Sequence, residues 1–288
     1  MPGSGAALDF LSTKFATVFP NGAAAALRDE DTLELPHTAL TDEQAEYVGL
    51  LAGRGARAVA PKLNALVLRG CHLTGSGLKR LAAALACDRP GSVPQLTSVD
   101  VHGTLQRALE SGGVLERSSG GAALGMIVAS TPSLTALSAG GHPLKAAGVK
   151  ALAAAVGEHA KLRDLDLQDA ALDSGAALEL GSAIKASAHL RAVDVRHNGL
   201  SKELKDTLGA AASKTNAARK QRAKEGGGSA ETLTIDLEPQ GGGGGDSGDG
   251  GGKKGAAAAR TKSSVRRDVQ KGGKANLGKP KNPRANKK

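Results

Sequence analysis

Ser98, Asp100 and His102 alternate along one short apolar run, TSVDVHG, and would point to one side of it if that run is a strand. A serine, an acid and a histidine are the ingredients of nucleophilic catalysis. Alternate residues of a strand lie roughly 6.5–7 Å apart, however, too far for the hydrogen-bonded relay that activates a serine. The seven histidines are otherwise scattered, with no His-Glu-x-x-His pair and no paired cysteine motif. No enzymatic activity, catalytic residue, cofactor or metal ion is expected. His142 and Cys71 fall at turns, where a structural role fits. The run GGGGGDSGDGGG (241–252) lacks the Gly-Lys-Ser/Thr ending of a phosphate-binding loop and the tandem copies of a calcium-binding repeat. It reads as a flexible spacer.

What remains is charge, and the acid in TSVDVHG is not alone. LRDLDLQDAAL (162–172) is echoed 28 residues later by LRAVDVRHNGL (190–200), each with an aspartate between two apolar residues. Counting from Leu162, the apolar positions are 1, 4, 6 and 11. The same pattern starts at Glu30, Leu63, Leu96 and Leu134, which makes six copies. The second half of each copy carries apolar residues at positions 16, 19 and 23, as in Leu78, Leu81 and Leu85 or Val149, Leu152 and Val156. That spacing puts them on one helix face. A short strand followed by a helix cannot cover its own apolar faces, so the copies must stack.

The pattern resembles the leucine-rich repeats of the ribonuclease-inhibitor-like type, with a 28-residue repeat. The resemblance covers about 30–225 and implies an α/β leucine-rich-repeat solenoid: a curved parallel sheet inside and helices outside. Position 9, Asn or Cys in that family, reads Thr38, Cys71, Thr104, His142, Ala170 and Asn198. Only two match, so the loops after the strands are expected to be less regular. The starts are spaced 33, 33, 38, 28 and 28 residues apart, and the extra residues of the third copy are placed between strand and helix, in 102–121.

The expected domains are an N-terminal cap (1–29), six repeats (30–225), a linker with a candidate seventh strand (226–240, where Ile235, Asp236 and Leu237 fit positions 4 to 6) and a disordered tail (241–288). ALDFLSTKF reads as a cap helix. Cys71 and Cys87 are too few for a disulfide framework, and reduced thiols in an intracellular, cytoplasmic and/or nuclear protein are expected. No run approaches 18 apolar residues, so no membrane span is expected.

Side chains alternate along a strand, so positions 4 and 6 face the core and 3, 5 and 7 the concave side. Position 5 then carries Glu34, Asp100, Asp166 and Asp194, position 3 adds Asp164, and position 7 adds His102, Gln168 and Arg196. These eight form the expected protein-binding surface, suited to a basic segment of a partner. Neighbouring carboxylates 5–6 Å apart repel by only about 0.8 kcal/mol in water, so the fold tolerates the stripe.

Residues 253–288 hold 13 Lys/Arg and one Asp, a net +12; the whole chain is +10, so residues 1–252 carry −2. Lys253, Lys254, Arg260, Lys262, Arg266, Arg267, Lys271, Lys274, Lys279, Lys281, Arg284, Lys287 and Lys288 suit polyanion contact, whether nucleic acid or an import receptor. The expected function is a non-enzymatic protein-binding scaffold with a basic targeting tail. Two alternatives stand beside it. One is a small-GTPase regulator, since the repeat type is similar to that of the Ran GTPase-activating proteins, although those end acidic. The other is a nucleic-acid-associated protein acting through its tail.

Overall fold

The repeat dictates a ladder of strands, and the computed structural model has one. It describes residues 4–14, 22–35, 37, 39–55, 60–86, 95–103, 114–226 and 230–237. Pro36, Thr38, Cys87, Thr104 and the whole of 241–288, with its thirteen basic residues, lie outside the described residues. Three-residue strands β1 (Thr32–Glu34), β2 (Ala65–Val67), β3 (Ser98–Asp100), β4 (Ala136–Ser138), β5 (Asp164–Asp166), β6 (Ala192–Asp194) and β7 (Thr234–Asp236) form one parallel sheet in chain order. The register has no offset: position 4 of each copy faces position 4 of the next, from Leu33↔Leu66 through Val193↔Ile235. The candidate seventh strand is therefore a strand of this sheet.

Helices follow the strands. Two precede the sheet, α1 (Ser4–Lys14) and α2 (Ala23–Asp29), and add Leu11, Ala23 and Leu27 to the core. Between and after the strands come α3 (Asp42–Leu50, continued by a π turn over Leu51–Gly55), α4 (Gly75–Leu85), α5 (Val114–Ser130), α6 (Ala146–Glu158), α7 (Ser174–Ala186) and α8 (Lys202–Gly226). Polar residues just ahead of the helices set their starts. Thr41 and Gln44 form a reciprocal capping box, and the Thr74 and Asp173 side chains each accept a backbone N–H from the first turn. The core is Leu, Val and Ala, with Phe10 packed 5.8 Å from Tyr47 at the N-terminal end.

Two expectations are corrected. The insertion of the third copy is not all loop: α5 begins at Val114, so 114–121 extend the helix, and of the inserted stretch only 104–113 fall outside the described residues. The loops after the strands are also regular despite the mixed residues at position 9. Position 8 takes a left-handed backbone in five copies, as Gly70, Gly103, Gly141, Asp169 and His197. Glycine and, less readily, aspartate adopt that conformation; histidine does so at a cost. Position 9 then points inward whatever its type, and Cys71, His142, Ala170 and Asn198 are all buried. Three of the four reach the same target, the position-6 carbonyl of the preceding copy. Asn198 Nδ2 donates to the Leu167 carbonyl at 2.9 Å, His142 Nε2 to that of Val101 at 2.6 Å, and the Cys71 thiol lies 4.0 Å from that of Leu35. Three chemistries fill one slot because each offers a donor of similar reach.

β7 is held from behind by α8. Asn216 accepts from the Leu233 N–H (2.8 Å) and donates to the Leu233 carbonyl (2.9 Å). Arg219 donates to the carbonyls of Leu190 (2.7 Å) and Ser187 (3.2 Å), and Arg191 pairs with Glu231.

Two predictions follow from this packing. A Cβ on Gly121 of α5 would lie 2.4 Å from the Gly148 Cα of α6, backbone that cannot move aside. Gly121→Ala is expected to lower unfolding free energy by about 1–3 kcal/mol, read as a lower urea midpoint at constant slope. His142 must stay neutral in its slot, and full burial pushes its pKa down to about 4. Unfolded, it titrates near 6.5. Its neutral form therefore supports the fold above about pH 6.5, and that support is lost as pH falls towards 4, by roughly 3 kcal/mol in all. His142→Asn keeps a donor for the Val101 carbonyl and removes the titration. Its denaturation free energy is expected to fall less between pH 6.5 and 4 than that of the wild type.

Candidate functional site

The face of the sheet away from the helices collects three rows of side chains. The in-line register aligns Glu34, Val67, Asp100, Ser138, Asp166, Asp194 and Asp236 across the seven strands at position 5. Asp164 lies beside them at position 3, and Arg69, His102, Gln168 and Arg196 follow just past the strand ends. Glu34 is set apart from the other acids by Val67, so the row is concentrated in β3 to β7.

The recurring aspartate has a task within its own repeat, which corrects the reading of it as a simple outward-facing charge. In each of three copies one carboxylate oxygen accepts the backbone N–H two residues on: Asp100 from His102 (3.0 Å), Asp166 from Gln168 (2.9 Å) and Asp194 from Arg196 (3.0 Å). This is the local bond by which aspartate ends a regular element. In these three copies the next donor is turned back onto its own strand's side chain; β1, β2 and β4 end at the same position with Glu34, Val67 and Ser138 there.

The second oxygen of each acid finds a different partner. Arg69 forks onto Asp100 Oδ2, with Nη2 at 2.9 Å and Nε at 3.2 Å. Arg196 folds back on Asp194, its Nε 3.0 Å from both oxygens. Ser138 Oγ donates to Asp166 Oδ2 at 2.9 Å, and His102 Nδ1 lies 3.7 Å from that oxygen, in ion-pair range rather than at hydrogen-bond distance. The stripe is thus a set of paired acids with unpaired ones among them. Among the described residues, Glu34, Asp164 and Asp236 are exposed and make no ion pair.

Ser138, Asp166 and His102 therefore meet across three strands, although Ser98, Asp100 and His102 do not meet along one. The order of contact is wrong for catalysis. The aspartate sits between the other two and accepts from the serine, so no base is placed to take the serine proton. What the cluster does is hold charge. The contact with Asp166 raises the His102 pKa above 6.5, against the pull of burial. Burial works to raise Asp166, but His102, the Gln168 N–H and Ser138 together outweigh it and hold the carboxyl below its ordinary value. Both shifts favour the charged pair.

Gly140 makes this reach across strands available. It fills position 7 of the copy between His102 and Gln168, and a Cβ there would lie 2.5 Å from His102 Nδ1 and 2.7 Å from the Gln168 carbonyl. Ser138 and Gly140 are the site residues that the sequence reading passed over. Their signal was present, since both occupy face positions of the fourth copy, but a serine and a glycine stand out only once the row is drawn across strands.

The alternating strands and helices, the in-line parallel sheet and the inward Leu and Val positions define an α/β leucine-rich-repeat solenoid. The model of a leucine-rich-repeat family matches residues 59–82, which hold β2 and most of α4. No curated protein matches the chain. Among solved structures, the actin-binding site 2 of leiomodin-1 is similar, with 14% identity, a TM-score of 0.42 and an alignment covering 64% of this chain and 93% of that one. Among the described residues no helix is long and apolar enough to cross a membrane, and no three His, Cys, Asp or Glu side chains are grouped to hold a metal ion.

His102 gives the site a direct readout. Its imidazole is expected to titrate above 6.5 in a proton NMR experiment. Below pH 6.5 its pairing with Asp166 contributes fully to stability, and that contribution is lost as pH rises through the folded-state pKa. Asp166→Asn is expected to bring the pKa to 6.5 or below, because burial is then left to act. Gly140→Ala, which displaces the ring, is expected to do the same. A His102 pKa unmoved by both substitutions would contradict the contact.

Proposed function

We propose that the chain is a non-catalytic protein-binding scaffold whose working surface is the face of the sheet opposite the helices. One observation supports this most: Asp100, Asp166 and Asp194 are engaged within the face, whereas Glu34, Asp164 and Asp236 are exposed and make no ion pair among the described residues. Asp164 and Asp236 lie on either side of β6. A partner segment bearing lysine or arginine complements that end of the face. Surface charges of this kind govern encounter and partner choice more than final affinity. The eight face residues named from the sequence act here as one electrostatic surface, with Asp166 and Asp194 held in place by their own repeats.

The repeat is read as the ribonuclease-inhibitor-like type, because 13-residue helices alternate with the strands and the last copies start 28 residues apart. Residues 1–29 serve as the cap, 30–225 as the repeats, 226–240 as the closing segment and 241–288 as the tail. The net +12 of residues 253–288 supports targeting or polyanion contact, through nucleic acid or an import receptor, and with it a cytoplasmic or nuclear location.

Proximity labelling with the full chain and its Asp164→Lys variant tests the reading. Asp164 is exposed and has no hydrogen bond among the described residues, but Arg163 and Arg191 act on its charge, so the variant's urea midpoint is read beside its labelling. Proteins with basic segments should be labelled by the wild type and depleted with the variant, and purified partners should associate about three- to tenfold more slowly with the variant at low salt. Identical labelling and identical rates would contradict it.

A further inference from the structure

Among the described residues β7 is the last strand in the order of the sheet, and its outer edge continues a pattern that every earlier strand completes with its successor. In that pattern the backbone groups of positions 3 and 5 turn back to the preceding strand and those of positions 4 and 6 turn forward. Thr234 N–H donates to the Arg191 carbonyl at 2.8 Å, and the Asp236 carbonyl accepts from Val195 N–H at 3.1 Å. The Ile235 N–H and carbonyl and the Leu237 N–H therefore face outward. Asn216 covers Leu233 at the start of the edge, but its reach ends there.

The side chains tell the same story. At positions 4 and 6 the six preceding copies bury their residues to 2% exposure or less, including Leu33 and Leu35 of the first copy, whose strand β1 is also an edge strand. Ile235 and Leu237 occupy the same positions in the last copy and are only partly buried. Among the described residues the two ends of the sheet thus differ: the apolar positions at the β1 end are covered, and those at the β7 end are half buried. Asp236 stands exposed between them on the charged face, next to Asp194.

We infer that the outer edge of β7 takes an eighth strand from a partner protein: an extended segment in which apolar residues alternate with lysine or arginine. Its backbone bonds to Ile235 and Leu237, as each strand of the sheet does to the next. Its apolar residues complete the cover of those two side chains. Its basic residue lies about 4.8 Å along the row from Asp236, where it balances the acid as Arg69 balances Asp100. The inference rests on the protein-binding reading and adds to it a place and a backbone geometry.

The test uses the full chain and a fluorescent pentapeptide alternating valine and lysine. Saturable binding is expected in fluorescence anisotropy, with amide exchange at Ile235 and Leu237 slowed at least tenfold on saturation. Three controls are expected to weaken binding at least tenfold. One is the peptide N-methylated at alternate residues, one is the peptide with glutamate for lysine, and one is Ile235→Pro, which removes an outward N–H and no bond to β6. The N-methylated peptide acts on the unaltered protein, so the result stands even if Ile235→Pro disturbs folding. Glu158→Lys, exposed at the end of α6 and outside the charged face, is expected to leave peptide binding within twofold, which separates this edge from an effect of net charge. Absence of saturable binding, equal binding of the N-methylated peptide, or Ile235 and Leu237 amides already protected in the free chain would each overturn the inference. The last result would mean that a second copy or the chain's own residues already occupy the edge.

Discussion

Everything in this fold depends on a parallel ladder that runs from copy to copy without offset and stops at the same place in each. With Leu33, Leu66, Val99, Leu137, Leu165, Val193 and Ile235 in line, inward positions of neighbouring copies pack like on like, and a core of Leu, Val and Ala needs almost no aromatic side chain. Such a ladder also needs an ending, or three-residue strands would run on into the loops. The ending has two halves. In three copies the donor at position 7 is turned back onto the aspartate at position 5, as in Asp194 with the Arg196 N–H. The carbonyl at position 6 of the previous copy is taken by the side chain at position 9, as in Asn198 with Leu167. A buried carbonyl left without a donor costs on the order of 1–3 kcal/mol, which is why such unlike residues as Asn198, His142 and Cys71 converge on one role.

The same ending places the charged surface. An aspartate whose first oxygen is committed to the backbone has a fixed second oxygen, and an arginine or histidine at position 7 is within reach of it. Asp100 with Arg69, Asp166 with His102 and Asp194 with Arg196 are three versions of that arrangement, two of them reaching between copies. Exposed pairs of this kind contribute little stability. Their effect is to decide which acids make no ion pair among the described residues. Those are Asp164, outside the position-5 row, and Glu34 and Asp236, at its ends.

Much of the architecture was legible because it rests on periodicity. The starts at Glu30, Leu63, Leu96, Leu134, Leu162 and Leu190 place each of the first six strands, and Ile235, Asp236 and Leu237 place the seventh through the same short signature. Periodicity says nothing about which hydrogen bonds a polar residue makes. The recurring aspartate was therefore read as surface charge, and its bond to its own backbone emerged only with the turn geometry. Position 9 misled for a related reason: the loop is shaped by the left-handed backbone at position 8, where Gly70, Gly103 and Gly141 were visible but Asp169 and His197 were not obvious substitutes. The meeting of Ser138, Asp166 and His102 was hidden because neighbours across strands are far apart in sequence. The helical start of 114–121 was hidden because VLERSSGG has two glycines where a helix former is favoured.

The account holds that the position-5 aspartate first holds a donor of its own backbone and only then acts as a charge. Site-resolved amide exchange of the full chain tests this most directly, comparing Asp194→Ala with Asp194→Asn. The alanine variant is predicted to speed exchange of the Arg196 amide at least tenfold while leaving the His102 and Gln168 amides, which rest on Asp100 and Asp166, unchanged. The asparagine variant, which keeps an acceptor but not the charge, is predicted to preserve protection of Arg196. Equal exchange of the Arg196 amide in wild type and alanine variant would show that the aspartate does not hold that donor, and would contradict the account.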